Sequence, residues 1–121
     1  MPKKILVVDD DEAILSSLQL IFETSGNQWE IITASDGEQA IEAVKQELPD
    51  LVLLDLMMPN IDGFEVCKFI KKKFKIPVII LTARSDPGTK EMTKAYYRPD
   101  AYLTKPFDKD ELLETVKKYL Q

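Results

Sequence analysis

Four short apolar runs in this chain each end on groups that can do chemistry. Ile5-Leu6-Val7-Val8 is followed by Asp9-Asp10-Asp11-Glu12, and Leu51-Val52-Leu53-Leu54 by Asp55. Val78-Ile79-Ile80-Leu81 is followed by Thr82, and Ala101-Tyr102-Leu103 by Thr104-Lys105. Carboxylates gathered at one place repel, which raises their pKa values and costs stability. A hard divalent cation relieves that repulsion, because carboxylates, carbonyls and water are its preferred ligands. Mg²⁺ fits best, since it commonly binds through a few carboxylates together with phosphate oxygens. A carboxylate is also a nucleophile able to form an aspartyl phosphate. A metal, an amine and a hydroxyl can then stabilise charge on the transferring phosphoryl oxygens. One aspartate as acceptor, two acids as metal ligands, one Lys and one Thr make a complete set.

The elements that must bring these groups together follow from periodicity. The apolar runs, rich in β-branched residues, predict buried strands, with a further strand at Glu30–Ala34. Helical spacing links Ile14, Leu18, Ile21 and Phe22, then Ala40, Ile41 and Val44, then Phe64, Cys67, Ile70 and Phe74, and last Leu112, Leu113, Val116 and Leu120. Ser35-Asp36-Gly37-Glu38 predicts a capping box, and Phe107–Glu111 the cap of the last helix. Met58–Gly63 is expected as loop and Ser85–Gly88 as a turn, with a weaker helix running to about Tyr97. Strands alternating with helices predict an α/β fold: a doubly wound, five-stranded parallel sheet with five helices, a flavodoxin-like three-layer sandwich. In an open parallel sheet the C-terminal strand ends share one edge, where ligands bind. Groups far apart in sequence are thereby brought into one pocket.

Composition bounds the rest. The 121 residues are 45% hydrophobic and 31% charged, the balance of a folded globular chain, and they are expected to form one domain, 1–121. A net charge of −5 argues against direct binding to nucleic acid or an anionic membrane, which needs a basic face. No signal peptide or membrane-spanning run is read, and the single Cys67 suits a reducing cytoplasm. The absence of histidine removes mechanisms in which the chain itself supplies that side chain.

Four segments resemble the receiver domains of bacterial two-component response regulators, including the single-domain chemotaxis regulators. They are Ile5–Asp11, Leu51–Gly63, Ile80-Leu81-Thr82-Ala83 and Tyr102–Phe107, and the likeness covers essentially the whole chain. The resemblance implies Asp55 as phosphoacceptor for a sensor histidine kinase or histidine phosphotransfer protein. It implies Asp9 and Asp10 as acids for Mg²⁺ (or Mn²⁺), with Asp10 the better direct ligand, and Asp55 and the Met57 backbone carbonyl completing the set. Thr82 and Lys105 are then the groups that hold the phosphoryl oxygens, and Tyr102 is the aromatic switch residue. Lys105-Pro106 resembles a bond that is often cis in this family, and Pro59 and Gly63 shape the acceptor loop. Output is expected through the face of the fourth helix, fifth strand and fifth helix, toward a partner or an output domain outside this sequence. As a signalling domain the chain is expected only to phosphorylate itself from small donors and to lose the group again, rather than to act as an enzyme.

Each residue also has a plainer role. Asp11 and Glu12 suit a helix N-terminus. Thr82 and Lys105, taken singly, suit an ordinary strand and a surface position, Tyr102 suits a half-buried core position, and Cys67 suits the core. Trp29, Tyr96 and Tyr97 suit either core edge or partner surface. Asp55 has the weakest plain role, because a charge closing a four-residue apolar run is costly without a purpose. Arg98-Pro99-Asp100 departs from the family pattern, and the stretch from Thr82 to Tyr102 is about one residue longer than usual for it. The charged pattern of the winged-helix transcription-factor branch is not seen. A haloacid-dehalogenase-like phosphatase would place a second acid two residues after Asp55, where Met57 stands. A nucleotide or flavin module would place a glycine-rich loop after the first strand, where Asp9-Asp10-Asp11 stands. A receiver-like module that is never phosphorylated would not need the full set of Asp9, Asp10, Asp55, Thr82 and Lys105.

Overall fold

The computed structural model describes residues 2–58, 63–83 and 87–120, with Tyr96 and Tyr97 described by backbone alone. Pro59 and most of the expected Met58–Gly63 loop lie outside the described residues, as do positions 84–86. The chain alternates β1 (Lys4–Val8), α1 (Glu12–Glu23), β2 (Glu30–Ala34), α2 (Gly37–Glu47), β3 (Leu51–Leu54), α3 (Gly63–Lys73), β4 (Val78–Thr82), α4 (Pro87–Met92), β5 (Ala101–Thr104) and α5 (Lys109–Leu120). The five strands form one parallel sheet in the order β2-β1-β3-β4-β5. Alternate strand residues enter opposite cores, because side chains project with a period of two. Leu6, Val8, Val52, Leu54 and Ile80 meet Ala40, Val44, Val66 and Ile70 of α2 and α3. Ile5, Val7, Leu51, Leu53 and Ile79 meet Leu15, Leu18 and Phe22 of α1 and Leu112, Val116 and Leu120 of α5. Burial on both faces is why these strands read as continuous apolar runs rather than alternating ones.

Local chemistry moves several expected boundaries. β4 includes Thr82 and β5 includes Thr104, since the ladder pairs those two residues. Gly63 opens α3 rather than closing the loop, and Gly88 lies inside α4 rather than in a turn. The capping box of α2 is shifted by one residue. Asp36 is the N-cap, accepting from the Gln39 backbone N–H at 2.8 Å, and the Gln39 side chain accepts from the Ser35 backbone N–H at 3.0 Å. Asp caps as well as Ser, so the acid one step later takes the position. In α1 Leu15 joins Leu18 and Phe22 in the core, leaving Ile14 and Ile21 half-buried. Phe64, Phe74, Ile41 and Leu113 are likewise half-buried, and Val66 takes a core position. Trp29 is at the core edge, its ring edge-on to Phe22 at 5.8 Å between centroids. Cys67 is fully buried, and burial pushes its thiol up to about 12, so it is a core residue.

Beyond Met92 the fourth helix does not continue as an α-helix. Thr93–Tyr97 form a π turn, in which the Arg98 N–H bonds the Thr93 carbonyl at 3.1 Å. This π turn lies within the stretch from Thr82 to Tyr102, which was expected to be about one residue longer than usual. Among the described residues, no helix is long and apolar enough to cross a membrane.

Candidate functional site

The sheet changes direction between β1 and β3. The chain leaves β1 toward β2 on one side and returns through β3 toward β4 on the other. At such a switch point the loops leaving the two strands part in opposite directions and open a crevice. Val8 and Leu54 are paired across the two strands, so Asp9 and Asp55 emerge side by side. The Asp55 N–H bonds the Val8 carbonyl at 3.0 Å, which locks the acid to its neighbour strand. Carboxylate oxygens of Asp9, Asp10 and Asp55 all lie within 4.8 Å of one another.

The three acids differ in surroundings. Asp55 is 5% exposed; one oxygen accepts from the Met57 N–H at 3.2 Å and the other from the Lys105 ammonium at 3.4 Å. Asp9 is 2% exposed; it accepts from the Asp11 N–H at 2.9 Å and from Lys105 at 2.6 Å. Asp10 is exposed, with no protein partner for its carboxylate among the described residues. Asp11 turns away to cap α1, accepting from Ala13 N–H at 2.9 Å, as its plainer role required.

Burial raises the Asp9 carboxyl above the usual aspartate range. The Lys105 and Asp11 hydrogen bonds offset that only in part, and the Asp55 charge adds to the rise. Burial by itself would lower Lys105, but its hydrogen bond to Asp9 and the charges of Asp55 and Asp9 outweigh burial and hold it above the usual lysine range. Among the described residues, the Lys105 ammonium is the cation paired with both buried acids. The set of Asp9, Asp10 and Asp55 is all oxygen and crowded, which is the donor chemistry a hard divalent cation requires. Asp9, Asp10 and Asp55 would hold such an ion, with Asp10 turned to solvent and open to it.

The remaining groups surround this cluster. Thr82 is fully buried at the end of β4, and its carbonyl accepts from the Lys105 N–H at 2.8 Å, which ties the lysine's backbone to that strand. Lys105-Pro106 is cis, as expected, and Pro106 is exposed. Met57 is 51% exposed, and its contact with the cluster is the N–H bond to Asp55. Tyr102 is half-buried against the α2–α3 core, with the Lys90 ammonium 5.9 Å from its ring centroid. The structure thus brings Asp9, Asp10, Asp55 and Lys105 into direct proximity, with Thr82 on the adjoining strand end and Tyr102 two residues back from Thr104 on β5.

Gly63 carries a constraint that loop shape did not foretell. A Cβ there would lie 2.1 Å from the Asp55 carbonyl oxygen and 2.6 Å from Leu56 Cα. Its N–H bonds the Leu56 carbonyl at 3.1 Å, so α3 starts directly against the backbone of Asp55 and Leu56. The sequence signal was an isolated glycine eight residues after Asp55, but the close approach itself is tertiary. The same is true of the short Lys105–Asp9 contact, between residues 96 positions apart.

Comparison with known proteins bears on the family and the fold. The family model of the response regulator receiver domain matches residues 5–117. The alkaline phosphatase synthesis transcriptional regulatory protein PhoP of Bacillus subtilis is 44% identical over 122 residues, covering 100% of this chain and 50% of that protein. The chain therefore spans about half the length of that curated relative. The receiver domain protein (CheY-like) of Methanospirillum hungatei has a TM-score of 0.88 at 30% identity, covering 99% of this chain and 94% of that one. The chemotaxis protein CheY4 of Vibrio cholerae has a TM-score of 0.87 at 30% identity, covering 99% and 100%.

Proposed function

The chain belongs to the response regulator receiver domain family of two-component signalling, and on that premise we propose that Asp55 is its phosphoacceptor. Receiver domains are signalling domains that carry a phosphoryl group on an aspartate, and residues 1–121 act here as one such domain. One observation carries the assignment of Asp55. It is a nearly buried carboxylate at the sheet's switch point, gripped by the Met57 N–H and Lys105 and crowded by two further acids. The donor is a histidine kinase or a histidine phosphotransfer protein. An Asp55 oxygen attacks phosphorus, a P–O bond forms, the P–N bond of the donor breaks, and its electron pair stays on the imidazole. Asp9, Asp10, Asp55 and the Met57 carbonyl would hold Mg²⁺ (or Mn²⁺), which when bound would supply positive charge against the phosphoryl oxygens. Lys105 leaves Asp9 for a phosphoryl oxygen, and the Thr82 hydroxyl donates to another. Such charge-assisted bonds contribute about 1.5–3 kcal/mol each, enough to invert a two-state equilibrium.

Output runs through α4, β5 and α5, where Tyr102 reports the movement of Thr82, toward a partner or an attached output domain. The domain operates in the cytoplasm, labels itself from small phosphodonors and loses the group by its own hydrolysis. Intact-mass measurement with acetyl phosphate and Mg²⁺ tests the acceptor. The wild type gains one phosphoryl mass, and Asp55→Asn, which keeps the shape and removes the nucleophile, gains none. Equal labelling of that variant would place the acceptor elsewhere.

A further inference from the structure

The net charge of −5 conceals an uneven surface. Residues 68–75 carry five lysines and no acid, so the rest of the chain carries −10. Lys68, Lys72, Lys73 and Lys75 are exposed, and Lys71 is half-buried. α2 and α3 lie side by side on one face of the sheet and run back from the edge that holds Asp55 to the opposite edge. The last turn of α2 thereby brings a sixth lysine, the exposed Lys45, to the same corner. The ammonium groups of Lys45 and Lys73 stand 5.9 and 5.6 Å from the centroid of the Phe69 ring, and Phe74 packs against that ring at 5.7 Å.

An ordinary solvated helix end accounts for only part of this charge. Lysines in a last turn complement the macrodipole, which places roughly half a negative charge at each helix C-terminus. Two such ends, together with Asp100 paired to Lys71 at 2.8 Å, offset about two of the six positive charges. Lys68 stands before the last turn of α3, and Lys75 lies beyond the helix. Among the described residues, the five lysines other than Lys71 are in no ion pair. The chain has 21 acidic residues, yet Lys45 and Lys73 share an aromatic ring rather than a carboxylate. Like charges held together in this way repel, and an anionic partner relieves the repulsion.

We propose that this corner, where the ends of α2 and α3 meet around Phe69, docks a short acidic segment of a partner protein. The extent of the patch selects that occupant. From Lys68 to Lys73 the axis of α3 advances about 8 Å, which is about one Debye length at physiological salt. A few extended residues of about 3.4 Å each cover that length and meet lysines alone. A nucleic-acid duplex or an anionic membrane spreads its charge over a far wider area and would face the −10 carried elsewhere on the chain. The docked segment also leaves the acid cluster open. α3 begins at Gly63 beside the backbone of Asp55, and the lysines gather toward its other end. This surface is therefore independent of the reading of Asp55 as phosphoacceptor.

Titration of the whole chain with a short poly-glutamate peptide at about 0.15 M salt, followed by amide NMR, tests the surface. The signals of Lys45 and of residues 68–75 shift, while those of Asp9, Asp10 and Asp55 stay in place. The double variant Lys72→Gln, Lys73→Gln binds the peptide about tenfold more weakly, because two exposed charge pairs are lost. The control, Lys117→Gln with Lys118→Gln, removes the same charge from the last turn of α5 on the other face of the sheet and binds as the wild type does. All four lysines are exposed, and unchanged urea midpoints verify that both variants fold. No shift at the corner, undiminished binding by the first variant, or an equal loss in both overturns the proposal. Tighter binding of single-stranded DNA or of phosphatidylglycerol vesicles at these residues overturns the acidic protein segment as occupant. Self-association of the wild type in sedimentation, abolished by Lys72→Gln with Lys73→Gln, overturns it in favour of a second copy of this chain.

Discussion

Lys105 is the residue on which the electrostatics of the site turn. Its ammonium lies 2.6 Å from Asp9 and 3.4 Å from Asp55, so Asp9 rather than Asp55 is its main partner. Asp9 nevertheless titrates above an ordinary aspartate, because burial outweighs the ion pair. The linkage has a definite sign. A group whose folded pKa is raised contributes stability that is fully present below its unfolded pKa and is lost as pH rises through the folded value. For Asp9 that window opens at the ordinary aspartate value and extends upward; for Lys105, also raised, it lies in the alkaline range. Thermal melts of metal-free wild type and Asp9→Asn across the acidic range check the Asp9 window. The wild type should lose ground to the variant as pH rises through it. A difference that stays flat, or moves the other way, would show that Asp9 is not raised.

At the scale of elements, the backbone at two helix ends sets measurable constraints. α3 begins at Gly63, whose missing Cβ leaves room for the Asp55 carbonyl and Leu56. Gly63→Ala must push backbone against backbone, so it should destabilise the fold by about 3 kcal/mol, the upper range for overpacking. If Asp55 takes the phosphoryl group as proposed, the variant should also slow its labelling by displacing its backbone, which acetyl phosphate kinetics and urea melts together reveal. Stability and labelling both at wild-type levels would mean that the helix start yields freely. α2 ends at Leu48, which is left-handed at φ 46° and 60% exposed. A non-glycine residue in that conformation costs roughly 1–2 kcal/mol, while glycine returns roughly 0.5–1 kcal/mol of that through its freer unfolded chain. Leu48→Gly should therefore stabilise the protein by up to about 1 kcal/mol, read as a rise in the urea midpoint with an unchanged slope. A fall in the midpoint would mean that the exposed leucine makes contacts outweighing its strain.

For the molecule as a whole, a ligand that binds only the folded state must stabilise it by mass action. At a hundredfold excess over its Kd, Mg²⁺ should add about 2.7 kcal/mol to the wild type. Asp10→Ala should lose most of that gain while melting no lower than wild type without metal, because one repelling carboxylate is gone. An undiminished Mg²⁺ effect in calorimetry or melting would remove Asp10 from the ligand set. The sequence by itself determined the layered architecture and the edge at which the chemistry gathers. Runs such as Leu51–Leu54 can be satisfied only by burial on both faces, and a parallel sheet then sends Asp9, Asp55 and Thr82 to one side. Boundaries were less legible. Asp36 and Ser35 are both good caps, and only competition in the folded chain chose between them. Three features were decided by tertiary structure alone: the pairing of Lys105 with Asp9, the lack of space at Gly63, and the π turn ahead of Asp100. Lys105 and Asp9 are 96 positions apart, and the other two features depend on ångström-scale backbone distances, whereas periodicity reports only which face of its own element a residue occupies.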